Sequence, residues 1–103
     1  MADNRLALQA ELEALLLTGK VYFQPPSSIK LIYPCIVYKL DGFDTRYADS
    51  AIYKNKTRYS VTLIDQNPDS SLPLAIMSAF EYCSFDRYYI ADNLNHYAFT
   101  LYY

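Results

Sequence analysis

His96 is the only histidine in the 103 residues, so any acid-base or metal scheme must run through it. Its candidate nucleophile partners are the two cysteines, Cys35 and Cys83. A thiol becomes a nucleophile when a base stands within hydrogen-bond reach. If the C-terminal segments "YCSFDRYYIA" and "LNHYAFTLYY" form a hairpin turning near Asn93, His96 faces about Ile90 and Cys83 faces about Tyr103. The gap is then about seven residues, roughly 23 Å along a strand, and Cys83 is excluded. Cys35 stands on a mostly apolar strand, where cysteine packs as a small hydrophobe. Asp41, Asp44 and Asp49 could offer oxygen ligands to a divalent cation, but their spacing fits no calcium loop and Gly42 is wrongly placed for one. With two glycines in the chain, no phosphate-cradling loop can be written. The expectation is a protein without catalytic residues, metal or cofactor.

One further cluster could bind rather than react. Lys54, Lys56 and Arg58 stand beside Tyr53 and Tyr59, the basic and aromatic pairing that stacks single-stranded nucleic acid. The neighbouring aspartates oppose it, and a net charge of −2 with a pI near 5.1 provides no positive field to attract phosphates. The expectation is a solvated strand entrance.

The elements that must position these residues follow from pattern. A chain of 103 residues, 52% hydrophobic and 19% charged, predicts one folded domain over 1–103 with a single core. Met1 to Arg5 lacks the order of a secretory leader, which with two free thiols predicts a reducing compartment, and no apolar run suffices to span a membrane. "DNRLALQAELEALLLTG" predicts an amphipathic helix with Leu8, Leu12, Leu15 and Leu16 on one stripe, capped by Asp3 or Asn4 and stopped at Gly19. A short strand over Val21–Phe23 precedes the turn forced by Pro25 and Pro26. "LIYPCIVYKL" predicts a strand with Ile36, Tyr38 and Leu40 on one face and Cys35, Val37 and Lys39 on the other, with Pro34 at an edge, bulge or entrance. Residues 41–56 form an extended polar loop, long enough to suggest a role of its own. "TRYSVTLID" alternates, Tyr59, Val61 and Leu63 inward and Arg58, Ser60 and Thr62 outward. A short helix, "LPLAIMSAF", follows a cap at Asp69, Ser70 or Ser71, with Pro73 in its first turn. The terminal hairpin turns at Asp92 and Asn93. The fold class is therefore α+β: an antiparallel or mixed sheet of four to five strands with two helices on one face.

Twelve tyrosines, five phenylalanines and no tryptophan are an unusual aromatic set. Tyrosine suits surfaces that are dry when assembled and wet when apart. The last strand predicts Tyr97, Phe99, Leu101 and Tyr103 on the core face and His96 to Tyr102 on the other, available to a neighbour.

The strings "YPCIVYKLDGFDTRYAD", "TRYSVTLIDQNPDS" and "CSFDRYYIADNLNHYAFTLYY", in order from about residue 21 to the C-terminus, resemble a family of small tail-terminator proteins of long-tailed bacteriophages. The resemblance implies a structural virion protein, assembled in the host bacterial cytoplasm. Such a protein forms a ring, commonly a hexamer, that caps the head-proximal end of the tail tube, stops its polymerisation and joins tail to head. Its implied partners are further copies of itself, the major tail tube protein and the head-completion or connector proteins of the neck; DNA passes without specific binding. Another neck component, a stopper or adaptor, is the nearest alternative, and a small nucleic-acid-binding module a more distant one. A closed ring needs two different complementary patches per subunit. The candidates are the polar loop, with Asp41, Phe43, Asp44, Arg46, Tyr47, Tyr53, Lys54 and Arg58, and the aromatic hairpin, with Arg87, Tyr89, His96 and Tyr102.

Overall fold

A computed structural model describes residues 2–16, 20–43 and 57–103, residues 2–4 by their backbone alone. The order is α1 (Ala2–Leu16), β1 (Val21–Phe23), β2 (Cys35–Phe43), β3 (Thr57–Asp65), α2 (Leu72–Ala79), β4 (Cys83–Ala91) and β5 (Leu94–Tyr102). The strands form one sheet in the order β1-β2-β3-β5-β4. β1 runs parallel to β2 and every other pair is antiparallel, so the sheet is mixed and the expected α+β fold is observed.

Both helices cover one face. The Leu8, Leu12 and Leu16 stripe of α1 is buried against Ile36 and Tyr38 of β2, Tyr59, Val61 and Leu63 of β3, and Phe99 and Leu101 of β5, with Ile76 of α2 and Phe80 just after it closing the core. Each large apolar side chain removed from water here contributes about 1.5–3 kcal/mol. The fully buried Tyr38 also needs partners for its hydroxyl, which donates to Gln9 Oε1 (2.5 Å) and accepts from Arg5 Nη1 (3.1 Å). Gln9 Nε2 in turn donates to the Val21 carbonyl (3.0 Å), so one polar group ties α1 to β1 and β2.

Several boundaries depart from expectation for local reasons. α1 begins at Ala2, which puts Asp3 and Asn4 inside its first turn rather than before it; Gly19 lies outside the described residues. β2 begins at Cys35 rather than Leu31, because Pro34 has no amide to give a ladder and stands at the strand entrance. It then runs on to Phe43, so Asp41, Gly42 and Phe43 belong to a strand and not to the polar loop. A bulge at Asp41 keeps Gly42 opposite Arg58 and Phe43 opposite Thr57. Leu40 has the predicted core-side parity but stays 42% exposed, because three-residue β1 has already ended. Cys35 points to the opposite face as predicted yet is fully buried. α2 is one residue shorter than expected; of the three expected caps, Ser70 accepts from the Leu72 amide through its Oγ (3.2 Å). In the hairpin, Asp92 (φ 55°) and Asn93 (φ 62°) take the left-handed turn conformation foreseen for them.

Candidate assembly surfaces

The face away from the helices carries Val37 and Lys39 of β2, Arg58, Ser60 and Thr62 of β3, His96, Ala98, Thr100 and Tyr102 of β5, and Arg87 and Tyr89 of β4. Alternation puts them there because their neighbours in sequence fill the core. The predicted hairpin residues and Arg58 thus share one surface, but they divide into two groups separated along β5 by six residues, roughly 20 Å.

At one end Arg58 Nε donates to Asp41 Oδ2 (2.9 Å) and Arg58 Nη2 reaches the Asp41 carbonyl (3.3 Å). Arg58 stands opposite Tyr102. Its hydrogen bonds to Asp41 and then Tyr102 push the guanidinium above its ordinary range. The bulge places Asp41 within reach, and Gly42 leaves the room: a Cβ there would lie 2.6 Å from Arg58 Nη2. Phe43, 62% exposed, ends the strand beside this group. Asp44, Arg46, Tyr47, Tyr53 and Lys54 lie outside the described residues, as do Asp49 and Lys56.

At the other end Arg87 covers the Tyr89 ring (4.7 Å to its centroid), and Tyr89 stacks on His96 (4.7 Å, 16° between planes). His96 Nδ1 stands 3.1 Å from the Leu94 carbonyl, to which it donates. The connection from β1 to β2 crosses this face, so that Pro25, Pro26 and Ile29 wall a cleft of about 330 Å³ floored by Val37, Thr62 and His96. That crossing accounts for the burial of Ile64 and for the shelter of a strand face read as solvated.

His96 faces Tyr89 rather than Ile90, because the two-residue turn pairs Ala91 with Leu94. Cys83 faces Leu101 rather than Tyr103, because the turn shifts the register by one residue and a bulge at Asp86 takes up a second. The corrected separation from His96 is five residues, roughly 17 Å, and still too far for proton transfer. Cys35 lies across Ile64 from His96, two strand spacings or roughly 10 Å away. Burial pushes both thiols up to about 11, with Asp86 adding to the effect at Cys83. That is opposite to the shift a nucleophilic thiolate needs. Among the described residues no group of three or more His, Cys, Asp or Glu side chains gathers to hold a metal ion.

The helix-side flank of β4 is a surface that sequence reasoning missed. Phe85, Tyr88 and Ile90 lie on one side of this strand, 44%, 47% and 64% exposed. β4 forms the sheet's edge over nine residues. Among the described residues no strand pairs with its outer side, which makes it a template for a further strand. The alternation of Tyr88 and Ile90 signals a strand face, but only the strand order tells that this strand is outermost. Tyr88 is held on the flank by donating to Asn95 Oδ1 (2.6 Å), and buried Asn95 donates to the Asp65 carbonyl (3.1 Å).

Among the described residues no helix is long and apolar enough to cross a membrane. No family model, no curated protein and no solved structure matches this chain.

Proposed function

We propose that this chain is a structural virion protein, the tail terminator of a long-tailed bacteriophage, which forms a ring on the head-proximal end of the tail tube. The observation that carries the assembly role is the β4 edge, nine residues of strand flanked by exposed Phe85, Tyr88 and Ile90. The bulge at Asp86 interrupts this edge, and beyond it residues 87–91 remain as regular strand that a further strand can pair with. The stack of Arg87, Tyr89 and His96 beside it adds the amphipathic side chains that interfaces favour. The placement in a phage neck rests on the resemblance of the three sequence strings. The ring's partners are the tube protein on one side and the head-completion proteins on the other.

The test is polymerisation of the cognate tube protein with and without this chain, read by electron microscopy. A terminator yields shorter tubes bearing extra density at one end. Unchanged tube lengths with bare ends contradict the role, and binding to the head connector alone moves the protein to a stopper or adaptor.

A further inference from the structure

Charge divides unevenly between the two edges of the sheet. The β4 edge carries Glu81 at its entry, Asp86 at its bulge and Asp92 at its turn, against Arg87 alone. At the opposite edge Lys20 precedes β1, Lys39 stands on β2 just past the end of β1, and Arg5 lies over Phe23, against Glu13 of α1. Asp41 is already paired with Arg58 there. Each edge also exposes apolar side chains: Phe85, Tyr88 and Ile90 on one, Leu6, Leu40 and Phe43 on the other.

From this complementarity we infer that copies of the chain join head to tail, the acidic β4 edge of one against the basic β1–β2 edge of the next. The inference rests on the reading of the protein as a ring-forming subunit and names the surfaces that close the ring. Two β4 edges brought together would set Glu81, Asp86 and Asp92 against the same acids, so a two-fold dimer through β4 is disfavoured. A heterologous contact unites unlike edges and closes into a ring when its rotation permits.

The strand directions agree. β4 runs antiparallel to β1 within the sheet, so a neighbour rotated about an axis along the strands meets it in the antiparallel sense, the better-bonded one. With the two sheets level, the registers bring Tyr88 to Val21, Phe85 to Phe23 and Arg87 to Tyr22. Core side then meets core side, and the guanidinium meets a ring. Because Gln9 already occupies the Val21 carbonyl, the join rests on side chains more than on a long backbone ladder.

Two charge-reversed proteins test this by native mass spectrometry. Glu81→Lys with Asp86→Lys makes both edges basic, and Lys20→Glu with Lys39→Glu makes both acidic. Since Asp86 also accepts from Thr100 Oγ1 (2.6 Å), Glu81→Lys with Ser84→Lys is the second form of the basic variant. Each variant alone should lose self-association, on tube ends as in solution, weakened about tenfold or more. An equimolar mixture should restore it with equal numbers of the two, since every junction is then basic against acidic. A mixture that stops at a one-to-one dimer, or an acidic variant that assembles normally alone, overturns the inference. If wild type caps tubes and both variants do so equally well, the edges are wrong while the terminator role stands; if wild type neither associates nor binds tubes, both fall.

Discussion

Tyr38 and Tyr103 show how single phenols do different work in this chain. Tyr38 is fully buried, and its hydroxyl both donates to Gln9 and accepts from Arg5. Tyr38→Phe should cost about 1–2 kcal/mol in urea unfolding, because Gln9 and Arg5 lose a shared partner. Tyr38→Ala should cost about 3–5 kcal/mol through the cavity it leaves. Tyr103 donates to the Glu11 carboxylate, and that bond, with burial, raises its phenol to about 12. A phenol raised in the folded state holds its proton more tightly there than in the unfolded chain. Its contribution is complete below pH 10 and is lost as pH rises towards 12. Thermal melting across that window should show falling stability, and Tyr103→Phe should flatten the fall; an identical pH profile in the variant would remove this role from Tyr103.

At the scale of elements, the two bulges decide what the sheet presents. The bulge at Asp41 lets Asp41 turn to Arg58, with Gly42 at φ 153° beneath the guanidinium. Gly42→Ala should destabilise the fold by about 1 kcal/mol and displace the Arg58 side chain, seen as loss of the Arg58 to Asp41 contact by NMR. The helices, the alternating β3 and the Asp92–Asn93 turn were legible in the sequence because periodicity and turn chemistry act locally. Neither bulge was. A bulge arises where two strands already fixed elsewhere must share one register, and no local pattern announces it. The polar reading of Asp41 to Phe43 failed for that reason: Thr57 and Arg58 give those residues ladder partners that the segment alone does not reveal. His96 was placed one residue out of register.

Strand order belongs to the whole molecule. β5 lies between β3 and β4, so the hairpin inserts its second strand and leaves its first at the edge. Sequence placed both strands but could not say which would be outermost, and so the exposed flank of Phe85, Tyr88 and Ile90 went unseen, as did the β1–β2 connection that shelters part of the other face. The same order separates an acidic edge from a basic one. Association across them should weaken with salt, since the screening length shrinks from about 8 Å at 0.15 M to about 3 Å at 1 M. Net negative charge also predicts negligible binding to duplex DNA at physiological salt; a tight, salt-sensitive affinity in a filter or anisotropy assay would contradict a passive passage. The central claim is that this chain is a ring-forming subunit. Native mass spectrometry across a micromolar concentration series tests it most directly, repeated with tube ends present. One discrete ring mass above the monomer, in solution or on tubes, is the predicted result, and a monomer at every concentration and on no tube would contradict it.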